Sequence, residues 1–459
     1  MSSPDNTDSR DDEVFHPLGE TWQTELEEML DDTEYDTQLG IDMARDAMRV
    51  TKGELSEAEF HEKYHEDVLE EFDVDDRPTK DAYEAAQDEG AGAGQAFADA
   101  LKKLGGDGDV DRREAMKKMG AAGAAVGFGA WATNEDARPS VQDDAPVDVD
   151  EEGERQWGMV IDLERCDGCL QCVIGCQDEH NWDPGSNWMY VMAWEDDENP
   201  VPDDAAPGEM NFLVRPCQHC NDAPCEKVCP TTARHTRDYD GLVLTDYDVC
   251  IGCRYCQVAC PYGVNYFQWA EPDVTEEEIR EENEDVEGGH LRDARDRPVS
   301  SRAQRGTMSK CTFCPTRQDG LKGEDQVGTT ACEEACAEAG MNVIHFGDMN
   351  DPESKPNQYL QAREELAREQ GATFEDRDED YFETTTETGN LSTFALLEDM
   401  GTDPNIVYIG NQPGAEAKQT DGPVDYSDQP MTGIGRDDQN HVDRKQDVLD
   451  DKTVDGGLY

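Results

Sequence analysis

The stretch from Cys217 to Cys260 decides the fold of this chain. Residues 217–230 read Cys-Gln-His-Cys-Asn-Asp-Ala-Pro-Cys-Glu-Lys-Val-Cys-Pro, and residues 250–261 read Cys-Ile-Gly-Cys-Arg-Tyr-Cys-Gln-Val-Ala-Cys-Pro. The second run has the bacterial ferredoxin spacing C-x2-C-x2-C-x3-C-P, in which three close thiolates hold one iron–sulfur cluster and the fourth cysteine reaches another cluster. Close spacing is needed because one short loop must wrap a small cube of iron and sulfide. The two runs therefore predict a compact pair of 4Fe–4S sites.

All sixteen cysteines of the chain lie within one region and form four groups of four. In groups one and four the usual final proline is replaced by Gln177 and Ala337. A disulfide framework and zinc knuckles are the alternatives, but the added cysteines at x2 and x3 favour iron–sulfur ligation. The groups are Cys166, Cys169, Cys172 and Cys176; Cys217, Cys220, Cys225 and Cys229; Cys250, Cys253, Cys256 and Cys260; and Cys311, Cys314, Cys332 and Cys336.

The spacing also predicts which cysteines share a cluster. Groups two and three are separated by the shortest gap, so we expect them to form one two-cluster unit, with groups one and four closing a second unit around it. Applying the three-plus-one rule then gives four ligand sets. These are Cys166, Cys169, Cys172 with Cys336; Cys311, Cys314, Cys332 with Cys176; Cys217, Cys220, Cys225 with Cys260; and Cys250, Cys253, Cys256 with Cys229.

The composition limits the possible partners. The chain has 459 residues and a formal net charge of −69, with 108 acidic against 39 basic residues. Such an excess of negative charge excludes ordinary binding to nucleic acid or anionic lipid. It is typical of an acidic, halophile-like proteome, with a calcium-loaded or largely disordered chain as alternatives. No run of about twenty apolar residues occurs, which predicts no direct membrane span.

Residues 1–110 contain no cysteine and are predicted to be an acidic extension with a small helical module. Ser56 and Glu59 form a capping box, and Phe60, Tyr64, Val68 and Phe72 repeat on one helical face. Within this helix His61-Glu62-Lys63-Tyr64-His65 matches H-E-x-x-H, the zinc protease motif. No third ligand is identifiable from the sequence, so a chance match is the favoured interpretation.

Residues 111–132 resemble a twin-arginine export signal. Arg112-Arg113 precedes a run of small residues that ends in Ala130-Trp131-Ala132, an A-x-A cleavage pattern. The route exports folded proteins, which suits clusters that are inserted before export. We therefore expect the protein at the extracytoplasmic face of the cell membrane, with the cytoplasm as the alternative. Residues 133–156 are an acidic linker, 157–350 the cluster-binding core, and 351–459 a partly flexible C-terminal extension in which Leu396 to Ile409 are expected to pack back onto the core.

The core is similar to a known family. Its motifs are W-x-x-x-I-D, C-D-G-C-L-Q-C, R-P-C-Q-H-C-N-D-A-P-C, D-Y-D-V-C-I-G-C-R-Y-C-Q-V-A-C-P-Y-G-V and S-K-C-T-F-C, over about residues 157–350. They resemble the iron–sulfur subunits of molybdopterin oxidoreductases such as dimethyl sulfoxide, polysulfide, tetrathionate and arsenate reductases. The resemblance implies an α+β fold of two interleaved ferredoxin-like units with four 4Fe–4S clusters in a row. It also implies a position between a molybdopterin catalytic subunit and a multi-span, quinol-binding membrane subunit.

The predicted function is one-electron relay in an anaerobic respiratory reductase, without catalysis by this chain itself. The alternatives are a free-standing polyferredoxin and a zinc-dependent scaffold or hydrolase. Basic residues beside the cysteines, namely Arg215, Lys227, Arg254 and Lys310, would raise cluster potentials or simply form ion pairs. His219, between two cysteines, is expected to hydrogen-bond locally rather than bind iron.

Overall fold

The structure is a computed structural model that describes residues 33–78, 155–202, 205–370, 391–414, 417–436 and 439–443, with several residues between 24 and 31. Its strands are short, as expected where loops must wrap metal sites. They are β1 (Trp157–Asp162), β2 (Val191–Glu195), β3 (Asn211–Val214), β4 (Arg234–Thr236), β5 (Val243–Thr245), β6 (Tyr266–Phe267), β7 (Met308–Ser309), β8 (Ile344–Asp348), β9 (Thr393–Phe394), β10 (Ile406–Ile409) and β11 (Lys418–Thr420).

The largest described sheet has the order β8-β1-β10-β9. β1 is buried at every position, which suits its continuous apolar sequence Trp-Gly-Met-Val-Ile before Asp162. β8 pairs with it antiparallel, and β10 pairs with it in parallel, with Met159 opposite Ile406. Leu396, Tyr408 and Ile409 are buried, so the segment from Leu396 to Ile409 packs onto the core as predicted.

The other strands bring the cysteine loops together. β2 lies between β11 and β3, β4 pairs with β5, and β6 pairs with β7, all antiparallel. The β4–β5 hairpin joins the second cysteine group to the third. The segment 271–305 carries its own small apolar cluster of Val274, Ile279 and Leu291.

The helices near the cysteines are short, because each begins or ends where a loop must turn around a thiol. The described helices are α1 (Thr37–Thr51), α2 (Glu57–Phe72), α3 (Gln171–His180), α4 (Pro224–Lys227), α5 (Tyr255–Ala259), α6 (Glu276–Glu282), α7 (Pro315–Gln318), α8 (Ala331–Glu338) and α9 (Lys355–Gln370). Together with the strands they make the mixed α+β fold that the sequence predicts.

The N-terminal helices form the predicted small module. Ser56 and Glu59 make a complete capping box at the start of α2, and Phe60, Tyr64 and Val68 are buried. α1 packs against α4 and α5. The Tyr255 hydroxyl at the start of α5 donates to the Asp36 carbonyl at 2.6 Å, so the module lies directly against the loop of the third cysteine group.

Among the helices that the structure describes, none is both long and apolar enough to cross a bilayer. Several predicted segments lie outside the described residues. They are the export signal at 111–132, most of the linker (residues 133–154), and the chain ends at 1–23 and 444–459.

Candidate metal centres

Left-handed backbone turns bend the cysteine loops of groups one and three in the same way. Gly168 and Gly252 stand directly before the second cysteine with φ of 70° and 73°, and Leu170 and Arg254 stand directly after it with φ of 60° and 65°. A Cβ on Gly252 would lie 2.2 Å from the carbonyl oxygen of Gly306, so only glycine fits there. These paired turns direct the three thiols of each loop towards a common interior.

The sixteen thiols are all free, and most are buried. Burial, followed by the negative charge of neighbouring thiols, raises the pKa of Cys166, Cys250 and Cys311 to about 12. Such thiols would stay protonated at neutral pH unless a strongly positive group compensated four thiolates at once. Metal binding supplies that compensation and releases the protons.

In the structure, the thiols assigned to each predicted ligand set are electrostatic neighbours of one another. Their role as ligands remains a prediction. We number the sets as follows: set 1 is Cys166, Cys169, Cys172 and Cys336; set 2 is Cys176, Cys311, Cys314 and Cys332; set 3 is Cys217, Cys220, Cys225 and Cys260; set 4 is Cys229, Cys250, Cys253 and Cys256.

Three further neighbour pairs connect these sets in a row. Cys172 of set 1 is close enough to Cys332 of set 2 to have its pKa raised by that thiol, after burial and Cys166. Cys311 is similarly influenced by Cys217 of set 3, and Cys225 by Cys256 of set 4. The order of the sets is therefore 1, 2, 3, 4.

The solvent exposure of the thiols follows the order of the sets along the row. The four thiols that are only partly buried are Cys166 and Cys169 in set 1, and Cys229 and Cys250 in set 4. Every thiol of sets 2 and 3 is buried. The two ends of the row thus approach the surface, while its centre is shielded from water.

Polar groups lie close to several sulfur atoms. His180 Nε2 is 3.2 Å from the Cys314 sulfur, while its Nδ1 lies 2.6 Å from the Ser300 carbonyl oxygen. The Thr330 hydroxyl is 3.3 Å from the Cys332 sulfur. Hydrogen bonds to cluster sulfurs are one of the means by which a protein adjusts the reduction potential.

His219 hydrogen-bonds locally, as predicted. Its Nε2 lies 3.0 Å from the Cys311 carbonyl oxygen, and its Nδ1 accepts from the Val243 amide at 3.1 Å. Its ring stacks on Phe313 with 3.8 Å between centroids. Both nitrogens are occupied by backbone groups, so the side chain joins the loops of groups two and four.

The four basic residues singled out in the sequence each have a local partner. Lys227 pairs with Glu57 and Asp222, and Arg254 lies over the Trp269 ring at 4.1 Å. Lys310 is buried and donates to the carbonyls of Val243 and Cys311. Arg215 lies over the Tyr190 ring at 5.4 Å.

Arg234 is a candidate functional residue that sequence reasoning missed. Its side chain is fully buried and its Nη2 lies 3.7 Å from the Cys256 sulfur. The one available signal was a basic residue four positions after the Cys229-Pro230 pair. That signal does not distinguish a buried arginine from a surface one.

The H-E-x-x-H segment does acquire a third neighbour in the fold. Asp75 lies 2.8 Å from His65 Nδ1 and 3.6 Å from His61 Nε2. However, Arg77 donates to both oxygens of the Asp75 carboxylate, at 2.7 and 2.9 Å. The group is therefore accounted for as an ion-pair network that ties the chain after α2 back to that helix, which supports the interpretation of a chance motif.

The donor chemistry of the four sets fits iron–sulfur clusters. Each set offers four sulfur donors, and its loops place backbone amides near the sulfurs, such as Arg234 N at 3.4 Å from the Cys229 sulfur. Paired loops that exchange their fourth cysteine are typical of two-cluster ferredoxins and not of zinc knuckles. The fold and the thiol sets thus define an iron–sulfur protein of the ferredoxin class.

Comparison with known families supports this class. A family model described as a 4Fe–4S dicluster domain matches residues 208–279. Another, described as the N-terminal region of 4Fe–4S ferredoxin iron–sulfur binding, matches residues 16–80. The N-terminal segment, which lay outside the sequence resemblance, thus has a match of its own among iron–sulfur proteins.

Proteins with similar sequences show which kind of iron–sulfur protein this chain resembles. A protein of Halobacterium salinarum named as an iron–sulfur subunit of dimethyl sulfoxide reductase is 35% identical over 265 residues, covering 56% of this chain and 79% of the relative. The arsenate respiratory reductase iron–sulfur subunit of a Shewanella species is 36% identical, covering 44% and 86%. The iron–sulfur cluster-binding subunit of menaquinone reductase from Nitratidesulfovibrio vulgaris is 31% identical, covering 56% and 89%.

The chain therefore belongs to the family of iron–sulfur subunits of dimethyl sulfoxide reductase and related oxidoreductases, which confirms the resemblance seen in its motifs. Members of this family are electron-transfer subunits of larger complexes, so this chain is an electron carrier and not a complete enzyme.

Proposed function

We propose that this chain relays electrons between a quinol-reactive, multi-span membrane subunit and a molybdopterin catalytic subunit of an anaerobic respiratory reductase. Four 4Fe–4S clusters, held by sets 1 to 4, would form the path. The observation that carries the proposal is the row of four thiol sets with partly exposed cysteines only in its two end sets. Such a row has one place for an electron to enter and another for it to leave.

The fourth cysteine of each group makes the arrangement interleaved. Cys336 and Cys176 are exchanged between groups one and four, and Cys260 and Cys229 between groups two and three. Each exchange ties two loops together, so two ferredoxin-like units share one core. When bound, the clusters accept and release single electrons. The protein holds them close together, excludes water from the inner sets and places hydrogen-bond donors at the sulfurs.

A subunit is favoured over a free-standing polyferredoxin. The relatives are named as subunits of reductases. In addition, two partly exposed end sets suit two docking partners, whereas a diffusing carrier needs one exposed site. Co-purification with a large molybdopterin protein under oxygen-free conditions is expected for a subunit and not for a free-standing polyferredoxin.

The metal content tests the ligand sets directly. Protein purified without oxygen is expected to contain about 16 iron atoms and about 16 acid-labile sulfides per chain, because each of the four clusters has four of both. Iron and sulfide analysis, with zinc measured on the same sample, checks this. About 12 iron atoms would mean that one set binds a different centre. Zinc without sulfide would contradict the proposal altogether.

We further propose that the protein acts at the extracytoplasmic face of the membrane, exported through the twin-arginine route. Replacing Arg112 and Arg113 with lysine is expected to retain the protein in the cytoplasm, because that route reads the arginine pair. Cell fractionation with immunodetection measures the distribution, and lysine at the partly exposed Arg292 serves as the control. Unchanged distribution of the double-lysine variant would contradict export by this route.

A further inference from the structure

Arg234 lies between sets 3 and 4. It begins β4, and its side chain is 1% exposed. Its Nη2 donates to the Asn265 side-chain oxygen at 2.8 Å and lies 3.7 Å from the Cys256 sulfur of set 4. Its backbone amide lies 3.4 Å from the Cys229 sulfur, also of set 4.

The positive charge of Arg234 has no carboxylate partner in the described part of the chain. No described Asp or Glu lies within 4 Å of its guanidinium, and its Nε and Nη1 are buried without a hydrogen-bond partner among the described residues. By contrast, the positive charge of Arg237, three residues later, has three carboxylate partners, Asp240, Asp293 and Asp319. An uncompensated buried cation is costly, so it indicates that an anion belongs nearby.

The anions nearest to Arg234 are the thiolates of two different sets. Its strongest electrostatic partners are Cys256 of set 4, then Cys225 and Cys217 of set 3. The hydrogen bond to Asn265 holds the guanidinium in this place, and the Asn265 amide in turn donates to the Cys256 carbonyl at 3.0 Å. One fixed cation therefore serves two adjacent sites.

We propose that Arg234 supplies a fixed positive charge that raises the reduction potentials of the clusters in sets 3 and 4 together. The inference rests on the proposed function, because it requires clusters in those sets. Each reduction adds one negative charge to a cluster, and a fixed positive charge nearby favours that added electron. The guanidinium stays charged at all accessible pH values, and the interaction is strong in a low-dielectric interior.

A redox titration followed by electron paramagnetic resonance tests this, using the anaerobically purified full chain. In Arg234→Gln, the equilibrium constants for reduction of two clusters are expected to fall by about tenfold or more, which is about 59 mV per tenfold for one electron. The other two clusters should keep their potentials. Arg234→Lys retains the charge and should recover most of the shift. Equal shifts of all four clusters, no shift, or a lysine variant that behaves like glutamine would overturn the inference.

A second variant keeps the test decisive if Arg234→Gln loses iron. Asn265→Asp keeps the size of the side chain and adds a carboxylate within hydrogen-bond distance of Arg234, so the same two potentials should fall. Unshifted potentials in this variant, with all clusters loaded, would contradict the role of Arg234 alone. Wild-type protein without iron–sulfur clusters would instead contradict the proposed function.

Discussion

Replacing Cys311 with serine is expected to abolish quinol-linked turnover of the assembled complex while leaving the activity of the catalytic subunit with artificial donors intact. Cys311 belongs to set 2, one of the two sets without a partly exposed thiol. After burial, the charge that most raises its pKa is that of Cys217 in set 3. Loss of this thiol therefore removes a centre from the interior of the row, where no neighbouring set can take over.

The reason for the large effect is geometric. Serine offers a hard oxygen that is a poor ligand for iron bound to sulfide, so we expect the cluster of set 2 to be lost and the iron content to fall by roughly a quarter. Electron transfer slows steeply with distance, and without set 2 an electron would have to pass directly from set 1 to set 3, so we expect quinol-linked turnover to be lost. Measurements are quinol oxidation by the complex, activity with a dye that reduces the catalytic subunit directly, and iron per chain.

Thr312→Ser is the matched control for this variant. Thr312 is the buried neighbour of Cys311 and loses one methyl group in the change, so iron content and turnover should stay near the wild-type values. Normal quinol-linked turnover by Cys311→Ser, with the iron of set 2 missing, would contradict a linear relay.

The turns that bring together the closely spaced cysteines of groups one and three could be predicted from the sequence because their geometry is local. Three cysteines at x2 spacing lie on one turn of chain, and glycine before Cys169 and Cys253 permits the left-handed backbone that the turn needs. Capping of α2 by Ser56 was predictable for the same reason, since both partners lie within three residues.

Contacts between distant segments were much less predictable. The pairing of Val160 with Val407 joins strands separated by the whole core, and the apolar sequence at 406–409 indicates a strand without indicating its partner. Arg234 illustrates the same limit. Its burial depends on the packing of Asn265 and Cys256 around it, which no local pattern encodes. Likewise, Asp75 reaches the two histidines of α2 because the chain turns back after the helix.

Removing the charge of Arg237 is expected to destabilise the protein strongly. Its guanidinium donates to Asp240 through Nε at 2.8 Å and to Asp319 through Nη2 at 2.9 Å, and its Nη1 lies 3.6 Å from Asp293. Asp240 also accepts from the Trp157 indole at 3.0 Å, so the network joins the β4–β5 hairpin to β1. In Arg237→Met the carboxylates of Asp240 and Asp319 lose their buried cation, whereas Asp293 keeps its pair with Arg295 at 2.7 Å. Leaving buried charges without their partner costs roughly 3–5 kcal/mol.

Arg292→Met is the control for Arg237→Met. Arg292 is partly exposed and pairs with Asp248 at 3.2 Å, and such surface pairs contribute about 0–1 kcal/mol. Unfolding midpoints in urea, followed by tryptophan fluorescence and by iron release, compare the two variants with the wild type. Equal midpoints for both variants would show that the buried network contributes no more than a surface pair.

The pH dependence separates charge burial from lost packing. Burial, which outweighs the opposing effect of Arg237, raises the pKa of Asp319 above its ordinary value, and loss of the arginine raises it further. A carboxyl group with a raised folded-state pKa stabilises the folded protein at low pH and loses that contribution as the pH rises through the folded value. The deficit of Arg237→Met should therefore be smaller at pH 5 than at pH 8, while that of Arg292→Met should not depend on pH in this way. A deficit that is constant across this range would mean that Arg237 acts through packing of its side chain and not through compensation of the buried carboxylates of Asp240 and Asp319.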